Sequence, residues 1–133
     1  MISAVIADTH ALFWDLLEPG RLSVVAYQAM AEAEAAETIF VPSIVLVELR
    51  YLVEKGTITE DVFRFVINSI ADPGSALATA DLDFNIGKAV GNIPRASVPD
   101  MPDRIIAVTA LEMALPLITR DRKIIGSGIH TIW

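Results

Sequence analysis

Short apolar runs recur along the chain at 3–7, 38–41, 75–79, 116–119 and 129–132, the first four separated from one another by stretches with helical spacing and the last two by a loop and a tight turn. Runs this short, bounded by turn residues, read as strands buried on both faces. When strands alternate with helices, the helices must lie on the faces of a parallel sheet, because each crossover returns to the same edge. The expected architecture is therefore α/β: three layers, α/β/α, on a five-stranded parallel sheet. Nothing resembling a repeat, linker or low-complexity segment divides the chain, so one domain over 1–133 is expected.

The helices carry their own punctuation. A segment over 9–17 stops at Glu18-Pro19-Gly20, and Ser23 caps a helix through Ala36, whose Glu32, Glu34 and Glu37 read as solvated charges. Pro42-Ser43 opens a helix over 43–55 that Gly56 closes, and Thr59 caps another through Ala71. These two follow one another with no strand between, which predicts an antiparallel hairpin projecting beside the sheet. Val45, Leu49, Leu52 and Val53 form one apolar stripe, and Phe63, Val66, Ile67 and Ile70 another. Val62 and Phe65 widen the second stripe beyond one buried face, suiting a groove for a partner helix or a second copy of the chain. Asp81 or Asp83 starts a further helix to about Val90, 91–98 is a loop, a helix covers 102–114, and Gly126-Ser127-Gly128 makes a tight turn.

Composition narrows the function. The chain is 53% hydrophobic, but its longest apolar run, Ile39 to Val47, is broken by Pro42 and Ser43, far short of the roughly 18 residues a membrane span needs. With no Cys there is no disulfide frame, thiolate chemistry or Cys-based zinc site, and the start lacks the charged region of a secretory signal; a cytoplasmic location without membrane attachment is expected. A net charge of -7 excludes nucleic-acid binding through a generally basic surface. An anionic substrate would need a local remedy.

Four acids supply one. Asp8 follows the first strand, Glu48 lies in the helix after the second, Asp103 starts the helix of 102–114, and Asp121 follows the fourth strand. The C-terminal ends of parallel strands share an edge, where ligands bind. Two carboxylates about 5 Å apart repel by roughly 3 kcal/mol at an effective dielectric near 20, so four together require raised pKa values or a cation. Hard divalent ions take oxygen ligands, and Mg²⁺ or Mn²⁺ in an open site suits phosphodiester hydrolysis. Each acid also has a plain role: Asp8 and Asp103 at helix starts, Glu48 as a helix charge, Asp121 in a turn. His10 and Trp14 read as capping and packing, and His130 has no partner acid at a metal-site spacing.

These residues resemble a family. VIADTHALFW at 5–14, PSIVLVELRYLVEKG at 42–56, PDMPDRIIAVTALEMALPLITRDRKI at 99–124 and IHTIW at the end are similar to PIN-domain ribonucleases, specifically VapC-type toxins of toxin–antitoxin pairs. The resemblance implies a Mg²⁺- or Mn²⁺-dependent endoribonuclease with Asp8, Glu48, Asp103 and Asp121 as catalytic and metal-binding residues. It puts Thr119 at a small polar position beside the last acid. Where the family often has Asp-Pro-Phe-Asp, this chain has Asp100-Met101-Pro102-Asp103, which keeps the spacing of Asp103 and leaves Asp100 an additional candidate ligand. Arg104, Arg120, Arg122 and Lys123 are close in sequence to the acids, where they would meet flanking phosphates. Implied partners are an RNA substrate, a protein antitoxin laid across the 43–71 hairpin, and a second copy of the chain.

Two other classes stay open at this level. A receiver-like phosphoacceptor shares the parallel sheet but calls for an acid pair after the first strand, where Thr9 and His10 stand. A PIN fold kept only for binding would not need all four acids.

Overall fold

The computed structural model describes residues 2–36 and 38–133; Glu37, expected as a solvated charge, lies outside the described residues. The strands are β1 (Val5–Ala7), β2 (Ile39–Pro42), β3 (Leu77–Ala80), β4 (Leu117–Ile118) and β5 (Thr131–Ile132). The helices are α1 (Thr9–Leu17), α2 (Val24–Ala35), α3 (Ile44–Glu54), α4 (Glu60–Ala71), α5 (Phe84–Ala89), α6 (Met101–Met113) and α7 (Arg122–Ile125), with 3₁₀ turns at Pro19–Arg21 and Val90–Asn92. All strand pairs are parallel, in the order β3-β2-β1-β4-β5.

Val5, Ile6 and Ala7 are each fully buried. Successive strand residues point to opposite faces, so this alone requires cover on both sides of the sheet. Ile39, Val41, Leu117 and Ile118 continue that core, which α2 closes with Ala26, Ala29, Met30 and Ala33 and α6 with Ile106, Ala107 and Val108. The small residues of α2 let its backbone lie close across β1, β2, β4 and β5.

The strand order decides where a ligand can sit. From β1 the chain steps outward through β2 to β3, then returns across β1 to lay down β4 and β5. The reversal falls between β1 and β4, and crevices at such switch points, beyond the strand C-termini, are binding sites. The same order excludes the receiver-like alternative, whose strands run 2-1-3-4-5.

The helices begin where the sequence indicates. Asp8, Ser23, Thr59, Asp83 and Asp100 each accept a bond from the amide three residues on, satisfying donors that a helix start leaves open. Ser43 is an exception: it precedes α3 in a helical conformation, and its Oγ accepts from the Leu82 amide at 3.0 Å instead. The hairpin of α3 and α4 is anchored on both sides, α3 against α6 and α4 against β3, and a two-pronged Arg50–Glu60 pair at 2.7 and 3.0 Å joins its arms. Of its two stripes, Val45, Leu49 and Val66 are buried, and Phe65, which widens the second beyond its buried face, is exposed. One helix was not expected: α7, which occupies the TRDRK loop because Asp121 caps it.

Candidate active site

Five carboxylates meet at the switch point. Asp8, Glu48, Asp100, Asp103 and Asp121 line a single cavity of about 400 Å³, together with Thr9, His10, Trp14, Arg21 and Arg120. They come from the end of β1, the second turn of α3, the start of α6 and the turn after β4, so only the folded sheet brings them together.

Four of the five are held at one oxygen by the protein itself. Asp8 Oδ1 accepts from the Ala11 amide at 2.8 Å, Asp100 Oδ1 from the Asp103 amide at 3.0 Å, and Asp121 Oδ1 from the Lys123 and Ile124 amides at 2.9 and 3.1 Å. Glu48 Oε1 accepts the Thr9 hydroxyl proton at 2.6 Å. Capping and site-building are thus one arrangement here: the helix start that needs an acceptor also fixes the carboxylate that faces the cavity. Thr119, fully buried, accepts from the Asp121 amide at 3.0 Å and sets the turn that presents that acid.

The charges are uncomfortable. Burial raises the Asp8 carboxyl above its ordinary value, although the Thr119 hydroxyl and the Ala11 amide oppose the rise. Burial also raises Glu48 against the Thr9 bond, with Asp100 adding to the rise. Asp103 is pushed up to about 7, first by burial and then by Asp100, Asp121, Glu48 and Asp8 in turn. A carboxyl surrounded by four others gains little from ionising until a cation arrives.

The tightest oxygen grouping is Glu48, Asp100 and Asp103, with one oxygen of each within 4.8 Å of the others. Asp8 and Asp121 face the same cavity outside that grouping. A donor set made wholly of carboxylate oxygens fits a hard divalent cation and not zinc in a nitrogen and sulfur site. Asp100, an additional candidate from sequence, thereby joins Asp103 and Glu48 in the one grouping of three oxygens within 4.8 Å among the described residues.

The basic residues divide. Arg120 enters the cavity, whereas the Nε of Arg104 donates to the Ile93 carbonyl at 2.8 Å and the side chain does not line it. Arg122 and Lys123 border an adjoining hollow that shares Asp100, Asp103 and Asp121. Arg21, His10 and Thr9 also line the cavity; nothing in their local sequence marked Arg21, which arrives from the turn after α1. Trp14, expected as packing, is buried and also forms part of the wall.

Known proteins show the same frame. A ribonuclease, VapC22 of Mycobacterium tuberculosis, is 28% identical over 92% of this chain and 91% of its own length. Among solved structures, VapBC2 from Rickettsia felis, bound to a promoter DNA fragment, superposes with a TM-score of 0.69 at 18% identity, covering 98% of this chain and 99% of that one. VapBC-5, a toxin–antitoxin family member from Mycobacterium tuberculosis, gives 0.59 at 22% identity over 95% and 91%. The PIN domain model matches residues 5–126, a span of nearly the whole chain within which all five carboxylates lie, and on that match the chain belongs to the PIN domain family.

Proposed function

We propose that this chain is a VapC-type ribonuclease that hydrolyses RNA phosphodiester bonds with Mg²⁺ or Mn²⁺, and that it serves as the toxin of a toxin–antitoxin pair. One observation carries the reading: five carboxylates from four separate segments converge in one cavity at the switch point, with three of their oxygens within 4.8 Å. Carboxyls raised by burial and by one another inside a cleft mark a candidate functional site, and here the shared orientation of their oxygens adds to that mark. The likeness to VapC22 supports RNA as the substrate, and the VapBC complexes support an antitoxin partner.

Glu48, Asp100 and Asp103 would hold the cation, with Asp8 and Asp121 facing it from the β1 and β4 ends. When bound, a divalent ion polarises phosphoryl oxygens and makes water a better nucleophile near neutral pH. The protein's part is orientation: the Ala11, Asp103, Lys123 and Ile124 amides and the Thr9 hydroxyl hold the carboxylates in place beforehand, so little reorganisation accompanies the reaction. A phosphate otherwise repelled by the chain's net charge of -7 is drawn to this one place.

The test is direct. Purified protein should cleave single-stranded RNA with Mg²⁺ or Mn²⁺, stop on chelation and resume when the metal is restored. Folded protein that neither cuts RNA nor gains thermal stability with Mn²⁺ would overturn the reading.

Beside the catalytic cavity lies an apolar hollow of about 320 Å³ lined by Ile44, Val47, Tyr51, Leu52, Met101 and Pro102, of which Val47, Tyr51 and Met101 are exposed. We assign it to the antitoxin or to a second copy of the chain. Glutamate at both Val47 and Tyr51 should prevent co-purification with an antitoxin or dimerisation; a variant that still forms both complexes would remove this face from the assignment.

A further inference from the structure

The cavity is lined by carboxylates and also by two guanidinium groups, and these share one support. The Arg21 guanidinium carbon lies 4.9 Å from the centroid of the Trp14 ring, and that of Arg120 lies 5.3 Å away. Trp14 is itself wedged by Trp133, 5.7 Å away at 56°, and by His10, 5.4 Å away at 41°, and only 6% of it is exposed. It therefore cannot stack on a base; what it presents to the cavity is the pair of cations that it orients.

We propose that Arg21 and Arg120, held on Trp14, form a phosphate subsite that seats the phosphate next to the scissile one on an RNA strand. This rests on the ribonuclease reading for the identity of the ligand. A guanidinium laid on an aromatic face keeps its in-plane N–H donors available, and such a fork matches phosphate oxygens two at a time. Arg120 makes no ion pair among the described residues. Arg21 has one, to Glu18 at 3.2 Å, with 58% of the arginine and 48% of the glutamate side chain exposed. A pair that open to water holds weakly, and a phosphate displaces it at little cost.

Charge makes the subsite necessary. The chain has 10 Lys and Arg against 17 Asp and Glu, so a polyanion finds no general attraction. A cation among the carboxylates can neutralise one phosphate. The neighbouring phosphate of the same strand would otherwise lie against an acidic protein, and Arg21 and Arg120 are the cations of the same cavity able to meet it. They are positioning residues for the strand. The 3₁₀ turn at Pro19–Arg21, closed by the Arg21 amide on the Glu18 carbonyl at 2.9 Å, brings Arg21 back over Trp14 of α1.

The chain offers its own probe. Its 2 tryptophans are Trp14 and Trp133, both in this cluster, so indole fluorescence reports binding in this cavity, and the ratio of the two nucleotides isolates the subsite. Adenosine 3′,5′-bisphosphate carries both phosphates of one nucleotide and no phosphodiester bond to hydrolyse; adenosine 5′-monophosphate carries one phosphate. With Mg²⁺ present, the bisphosphate should bind about tenfold more tightly than the monophosphate, the return on one pair of charge-assisted hydrogen bonds. In R21Q/R120Q the ratio should fall to near one while the Mg²⁺-induced thermal shift is kept, and KM for RNA should rise about tenfold with kcat nearly unchanged. R21K/R120K should recover part of the ratio through charge alone. Should the double glutamine variant unfold, R120Q alone, at an exposed position, should still lower the ratio.

A wild-type protein that binds both nucleotides equally overturns the subsite, as does a folded R21Q/R120Q with unchanged ratio and KM. Preference for the bisphosphate with no cleavage of RNA would leave the subsite standing and overturn the ribonuclease reading alone.

Discussion

Two gatherings of acid lie on this molecule, and they differ in how the backbone treats them. In the switch-point cavity four of five carboxylates are held by amides or a hydroxyl, and three offer oxygens within 4.8 Å. On another part of the surface a hollow of about 240 Å³ is lined by Asp15 from α1, Glu34 from α2 and Asp72 after α4, with Ser69 and Ser75. Asp15 is pushed up to about 6 there, by burial and then by Glu34. Among the described residues no amide is bonded to the carboxyl of Asp15 or Glu34, and that of Asp72 serves its own turn, accepting from the Gly74 amide at 2.9 Å. A raised pKa alone is thus a poor mark of function. The cavity differs in that backbone amides or a hydroxyl fix one oxygen on four of its five carboxylates before any ligand arrives; the acids of the hollow come from three segments with no such bond to Asp15 or Glu34 among the described residues.

The widest separation of the two should appear in catalysis. D103N and E48Q should lower kcat/KM on a fluorogenic oligoribonucleotide by about a hundredfold or more, since each removes several kcal/mol of cation-mediated stabilisation. D15N should stay within about twofold of the wild type. Circular dichroism must show all three folded, and equal losses in D103N and D15N would erase the contrast.

A smaller but cleaner difference should come from metal alone. Mn²⁺ at about a hundred times its Kd stabilises the form that binds it by about 2.7 kcal/mol, a rise in Tm of roughly 10 °C for a chain of this length. D15N should keep the whole rise and D103N should lose most of it. A full rise in D103N would place the cation away from the α6 end of the cavity.

How much of this could be read from the sequence follows from the range of the forces involved. The strands were legible because a both-faces-buried strand must be apolar throughout, as Val5-Ile6-Ala7 is. Their ends were less so: the third was expected at 75–79 and runs Leu77–Ala80, since pairing with Ile39–Pro42 sets its register and no local signal does. The convergence of Asp8, Glu48, Asp103 and Asp121 was legible because three lie at strand ends or helix starts on one sheet edge and Glu48 lies one turn into the helix that leaves β2 at that edge. Helix α7 was missed because its four residues carry no period, and the cap at Asp121 looks like any turn aspartate. Arg21 and the Thr9–Glu48 bond were hidden because both depend on how α1 packs against distant segments, which no spacing encodes. Arg104 shows the converse: adjacent to Asp103 in sequence, it turns away to the Ile93 carbonyl because successive helix residues project about a hundred degrees apart.

The smallest effect, and the one that tests whether both gatherings cost stability, is the pH dependence of the metal-free protein. Asp103 at about 7 and Asp15 at about 6 both titrate above the ordinary 3.8, so between those values the folded chain binds more protons than the unfolded one. Stability therefore rises as pH falls, for Asp103 from about 7 toward 4 and for Asp15 from about 6 toward 4. In EDTA at about pH 8, D103N should melt several degrees above the wild type, because the variant removes a charge the fold resists. D15N should gain less, since Asp15 faces one acid where Asp103 faces four, and its melting curve should lose slope only below about pH 6. If D15N instead followed the wild type throughout that window, the Asp15 carboxyl would be as well solvated when folded as when unfolded, and the cavity alone would carry the electrostatic cost.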